Sequence, residues 1–128
     1  MVRGLHLQCA NPQGKLITVL SGRILDVVVD VRRGSPHFGK HVAVELSFDN
    51  GRQLFAPRGF AHGFAVLSEQ ADVFYKCDSL YAPNDQVILR WNDPALRIDW
   101  RVSNPQLSER DLAGITLAEI AELPIYTS

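Results

Sequence analysis

Cysteine is scarce: the chain has two, Cys9 and Cys77, in 128 residues. Two thiols neither staple a small secreted fold nor fill a zinc site. Charge of one sign is lacking as well. Thirteen Lys and Arg stand against fourteen Asp and Glu, for a formal net charge of −1. A general polyanion binder needs a basic excess, so nucleic acid is a poor partner. Long apolar runs are missing too. None approaches the ~18 residues of a membrane span, so a membrane is not an expected partner. The start, with Arg3 and His6, lacks the charged-then-apolar order of a signal peptide. The expected placement is a soluble protein of a reducing compartment, the cytoplasm. There is no internal repeat, low-complexity tract or linker. The glycines of Gly59-Phe60-Ala61-His62-Gly63 lack the spacing of a phosphate-binding loop. No nucleophile elbow occurs either.

What is there is ordinary globular material. Hydrophobic residues make up 46% and charged residues 21%, enough for one core without staples. A single domain over residues 1–128 is expected. Period-two alternation dominates. Leu16 to Leu20 reads as a strand, and Ser21-Gly22-Arg23 punctuates it. Ile24 to Val31 follows, dense in β-branched residues. Leu25, Val27, Val29 and Val31 share one face there, and Asp26, Val28 and Asp30 the other. That predicts one apolar face on a core and one polar face. Val42 to Phe48 alternates again, and Asp49-Asn50-Gly51 is a hairpin turn. Gln53 to Ala56, Phe64 to Leu67, Asp72 to Cys77 and Gln86 to Trp91 complete the strands. Turns every eight to twelve residues predict a sandwich, jelly roll or small barrel. The tail changes period. Ala113, Leu117, Ile120 and Ala121 fall on one helical face, Ser108 and Asp111 resemble a capping box, and Pro124 ends the run. One short C-terminal helix over about 108–123 is expected, weakened by Gly114.

Taken singly, the reactive side chains have plain explanations. His37 and His41 flank Gly39 in a loop and read as exposed polar residues rather than metal ligands. His6 and His62 stand alone locally and fit hydrogen-bonded structural roles. Asp111 fits a helix cap, Tyr75 a core aromatic with its hydroxyl at the rim, and Lys15, Arg3 and Arg58 surface charges.

Taken together, several segments resemble the dTDP-4-dehydrorhamnose 3,5-epimerases. They are Arg3-Gly4-Leu5-His6-Leu7-Gln8, Gln13-Gly14-Lys15-Leu16, Asp26 to Arg32, and Gly34 to Gly39. They continue through Arg52 to Phe64, Tyr75-Lys76, Tyr81-Ala82-Pro83, Trp91-Asn92-Asp93-Pro94 and Leu107 to Asp111. Order and spacing, not any one piece, carry the resemblance. It implies an all-β, cupin-type jelly roll, a homodimer, and no metal or organic cofactor. It also implies a dTDP-4-keto-6-deoxyhexose substrate, epimerised at C3 and C5. Residue by residue, it implies His6 as base, Asp111 as its carboxylate partner and Tyr75 as the acid on the opposite face. Lys15 would sit near the C4 oxygen. Arg3, Gln13, His62, Tyr81, Gln86 and Arg110 would line the substrate site. Arg110 stands where the family often has Lys, and Gln86 where Glu is common. Family members carry several tens of residues before the Arg-Gly-Leu-His segment, including strands exchanged between subunits. The expectation for the present chain is therefore weaker dimerisation or a different assembly. A single-carbon epimerase, and a non-catalytic sugar-nucleotide-binding cupin, stay open as alternatives.

Overall fold

The computed structural model describes residues 1–120 and 123–126. Its described strands are β1 (Val2–Gln8), β2 (Lys15–Ser21), β3 (Arg23–Asp30), β4 (His41–Ser47), β5 (Gln53–Ala56), β6 (Phe60–Val66), β7 (Asp72–Cys77) and β8 (Gln86–Ile88). They make two antiparallel sheets, ordered β4-β3-β6-β1-β8 and β5-β2-β7. This is the expected jelly-roll class. Among the described residues, no helix is long and apolar enough to cross a membrane.

The central strands β3 and β6 of the larger sheet are buried on both faces, and their sequence explains how. Outward from β3 and β6 point Leu25, Val27, Val29, Ala61 and Ala65, which pack under Leu96, Trp100 and Ile120. Alanine and Gly63 on β6 leave room there for the Trp100 ring. Inward point Ile24, Val28 and Phe64, which meet Ile17 and Val19 of β2 and Leu46 of β4. The face of β3 that carries Asp26 and Asp30 was expected to be polar. It is instead the interior of the sandwich: Asp26 is 0% and Asp30 2% exposed. Each carboxylate survives burial because it has a partner. Asp26 meets His62, and Asp30 binds Arg32 through both oxygens and Ser35 through one.

Three strands differ from the sequence reading. Strand β1 was not among the expected strands; its register slips between Arg3 and His6, so it has no clean alternation. Gly4 sits at φ 112° there, against the Gly63 backbone. Strand β6 begins at Phe60, four residues before the alternation becomes obvious. Strand β8 stops at Ile88; beyond it Leu89 bonds back to Leu5 and bridges Ile115.

The tail is not one helix over 108–123. It holds one helical turn, α1 (Glu109–Leu112), and a 3-10 turn at Leu117–Glu119. Gly114 lies between them, pressed against Ile88 and the Arg90 backbone, where a Cβ would stand 3.1–3.2 Å from its neighbours. Docking on that strand end displaces helical hydrogen bonding. Ala121, expected on the helical face, lies outside the described residues. Ser108 caps α1 by accepting the Asp111 N–H at 3.1 Å. The reciprocal capping bond is made further on, where the Glu119 carboxylate accepts the Thr116 N–H.

Candidate active site

Nine of the ten residues expected at the site line one cavity of about 360 Å³. The tenth, Asp111, touches it through His6. Strand β1 supplies Arg3 and His6, three positions apart. Period two would send them to opposite faces. The slip at Gly4 adds one residue and returns both to the inside. Strand β6 sets His62 beside His6, as its register partner. From the smaller sheet, Lys15 opens β2 and faces Cys77, while Tyr75 faces Ile17. Gln13 and Tyr81 come from the loops at this end, Gln86 from β8 and Arg110 from α1.

His6 Nε2 lies 2.7 Å from Asp111 Oδ1. The other oxygen of Asp111 accepts the Gly4 N–H at 3.3 Å. A carboxylate only accepts, so the neutral imidazole donates through Nε2 and keeps its lone pair on Nδ1. Asp111 therefore turns away from its own helix start and holds the histidine of β1. Burial pulls the His6 pKa below its ordinary value of 6.5; the Asp111 bond and charge oppose this, and Lys15 and Arg110 reinforce it. A histidine so placed is neutral, and a base, at pH 7.

Tyr75 carries the reverse balance. Burial pushes its phenol well above the ordinary value of 10, and the Asp26 charge adds to this. The hydroxyl is a proton donor throughout the physiological range. Its ring meets the edge of His62 at 5.8 Å and 85°. Lys15 is half-buried, and burial lowers its pKa below 10.5 while Cys77 and Asp26 hold it up. Arg3 and Arg110 bring two more cations, and Arg110 Nη2 donates to Gln86 Oε1 at 2.6 Å. The arrangement can take a proton with a histidine, give one with a phenol, and stabilise anions between them.

Asp26 does not line the cavity but holds His62, which does, and this support was missed. Its signal was present: a carboxylate inside a run of β-branched residues is buried unless one face is wet. Cys77, Gly63 and Phe64 also line the cavity without having been expected there. His37 and His41 lie outside it. Among the described residues, no three His, Cys, Asp or Glu side chains group as a metal site would need.

The two-sheet body, with a His–Asp pair at a cavity lined from both sheets, defines a cupin-type jelly roll. Comparison with known proteins agrees. The chain belongs to the dTDP-4-dehydrorhamnose 3,5-epimerase family, whose profile it matches over residues 1–119. The enzyme of that name from Neisseria gonorrhoeae is 51% identical over 93% of this chain and 37% of its own length. The Pseudomonas aeruginosa enzyme is 48% identical over 93% of the chain and 66% of its length. The chain thus spans between about a third and two thirds of these relatives. Among solved structures, the dTDP-6-deoxy-D-glucose-3,5-epimerase of Legionella pneumophila, in complex with dTDP-4-keto-L-rhamnose, superposes with a TM-score of 0.97 at 48% identity. That match covers 99% of this chain and 69% of the other. A 3′-monoepimerase from Streptomyces bikiniensis, in complex with dTDP-quinovose, reaches 0.91 at 35% identity, over 98% of this chain and 66% of its own.

Proposed function

We propose that the protein epimerises dTDP-4-dehydro-6-deoxyglucose at C3 and C5, giving dTDP-4-dehydro-L-rhamnose. The observation that carries this reading is a neutral, carboxylate-held His6 and a protonated Tyr75, from different sheets, on one cavity. The C–H bonds beside the C4 ketone are acidic because the carbonyl takes up the charge. His6 removes the proton, and Asp111 stabilises the imidazolium that forms. Lys15 stabilises the enolate oxygen. Tyr75 returns a proton to the other face, which inverts the carbon. Arg3 and Arg110 suit a diphosphate, while Gln13, His62, Tyr81 and Gln86 line the sugar's surroundings. No step in this scheme calls on a metal or organic cofactor.

A single-carbon reaction is the second reading, and the fit to the Streptomyces bikiniensis monoepimerase favours keeping it. The two differ in one experiment. Protein and dTDP-4-keto-6-deoxyglucose are incubated in deuterated water, and label is read at C3 and C5 by mass spectrometry and NMR. Label at both carbons, lost in His6→Ala, supports double epimerisation. Label at one supports the second reading, and none in either protein rejects both.

The partners follow the same reading: a dTDP-linked ketosugar and a second copy of the chain. The outer face of the smaller sheet exposes Leu20, Phe55 and Phe74, and its edges β5 and β7 are open. Such a surface is suited to association. Cytoplasmic residence fits a nucleotide-sugar substrate.

A further inference from the structure

Lys15 is the first residue of β2, and Cys77, opposite it, is the last of β7. Strand ends fray unless something holds them. Here the next residue on each side does so. Gly14 N donates to Asp78 Oδ1 at 2.8 Å, and Asp78 N donates to the Gly14 carbonyl at 3.1 Å. A side-chain carboxylate thus takes the place that a backbone carbonyl would fill if the ladder continued. Arg58 Nε reaches both Asp78 oxygens at 3.3 and 3.2 Å. That ion pair is exposed and contributes little by itself; its effect is to aim the carboxylate. Gly14 also leaves room for the carboxylate: a Cβ would stand 2.7 Å from Asp78 Oδ2 and 3.1 Å from the Phe55 ring, and would push Asp78 out of its place. One residue further out, Ser79 accepts from Gln13 Nε2 at 2.9 Å and donates to the Pro12 carbonyl at 3.0 Å.

We propose that Asp78 is a positioning residue for Lys15: by clamping Gly14 it fixes where the lysine ammonium sits in the cavity. The inference rests on the reading of Lys15 as the enolate's partner. Lysine has a long side chain, so the place of its ammonium depends on how firmly its own backbone is held. With the clamp, the ammonium stays within electrostatic reach of Cys77 of β7, Asp26 of β3 and His6 of β1. Without it, the start of β2 opens and the ammonium gains water.

The chain has three lysines, Lys15, Lys40 and Lys76, so each can be followed by competitive acetylation across pH with mass-spectrometric readout. In Asp78→Ala the Lys15 labelling midpoint is expected to rise toward that of an ordinary lysine, with Lys40 and Lys76 unmoved. Asp78→Asn keeps an acceptor for the Gly14 N–H and is expected to restore the midpoint. Turnover in Asp78→Ala should lose about 2- to 10-fold in kcat, the effect of one hydrogen bond of ordinary strength, with a smaller change in KM. An unchanged Lys15 midpoint in Asp78→Ala overturns the proposal, as does a common shift of all three lysines. If the midpoint rises while Lys15→Ala turns over at full rate, the clamp stands and the role given to Lys15 falls.

Discussion

His62 Nε2 lies 2.5 Å from Asp26 Oδ1, while the second oxygen of that carboxylate has no partner and no contact with water. The two residues sit diagonally on neighbouring strands, since Val28 is the register partner of His62 and Asp26 that of Phe64. Both side chains are buried, at 4% and 0% exposure. The pair fixes the imidazole, and the imidazole edge in turn supports the Tyr75 ring. Asp26→Ala removes the acceptor and leaves His62 buried without a partner. It is expected to cost about 3–5 kcal/mol, the usual result of breaking a buried pair from one side. Asp26→Asn retains an oxygen and should cost less. Urea denaturation of the two variants measures the difference.

The pH dependence of turnover is expected to carry a low acid limb. The proposed base, His6, can take a proton only when neutral, and burial, helped by Lys15 and Arg110, sets its pKa below 6.5. Activity should therefore rise with pH through a midpoint below that value. Asp111→Asn removes the interactions that raise the His6 pKa, so the limb should move to lower pH even as the maximal rate falls. Arg110→Ala removes one that lowers it, and the limb should move up. The kcat/KM profiles of the three proteins give the order directly.

Tyr75→Phe separates the two proton transfers proposed for His6 and Tyr75. The variant keeps His6 and Asp111, so it should still exchange substrate C–H with deuterated solvent. Without an acid on the opposite face, the proton returns from the side it left. Exchange should persist while formation of inverted product falls by about 10²- to 10⁴-fold, the range of one general acid. Following exchange and product by NMR in one sample checks both. Loss of exchange together with product would sink the assignment of Tyr75 as acid alone.

The stability of the fold at low pH should depend on Asp30. Its three bonds from Arg32, two from the guanidinium and one from the backbone N–H, and one from Ser35 outweigh its burial and hold its pKa down to about 2, against 3.8 for an ordinary carboxyl. A depressed folded-state pKa gives stability that is present above the unfolded value and lost as pH falls through the folded one. The loss therefore falls between about pH 4 and pH 2. Thermal unfolding of Asp30→Asn should show a flatter dependence across that window than the parent protein.

The runs of β2, β3, β4, β5 and β7 were legible because they are rich in β-branched and aromatic residues and are bounded by turn residues such as Ser21-Gly22 and Asp49-Asn50-Gly51. Strand β1 was not, because the slip at Gly4 hides the alternation that places Arg3 beside His6. The inner face of β3 was misread for a related reason. Composition along one strand does not say whether a carboxylate meets water or a partner from another strand, and Asp26 meets His62 thirty-six positions away. The broken tail follows from a tertiary contact too: Gly114 is needed against Arg90 and Ile88. The ten expected site residues were named through family resemblance. Local patterns alone left His6, His62, Asp111, Tyr75, Lys15 and Arg3 with a structural explanation and did not single out Gln13, Tyr81, Gln86 or Arg110.

Gly63 offers the sharpest test of how the site is held. It lies on β6 next to His62, where β1 crosses with its register slip. A Cβ there would stand 2.6 Å from the Arg3 carbonyl oxygen, 3.1 Å from Leu5 Cδ2 and 3.3 Å from the Trp100 ring. The first neighbour is backbone, so the strain cannot be relieved by turning a side chain. Gly63→Ala should push β1 away from β6 and take Arg3 and His6 with it. Overpacking of this kind costs about 1–3 kcal/mol, which leaves a folded protein to measure. Turnover should fall further than that destabilisation alone requires, because the same shift moves the base relative to Tyr75 and Lys15. A variant with lowered thermal stability but parental turnover would separate the β1–β6 contact from the geometry of the site.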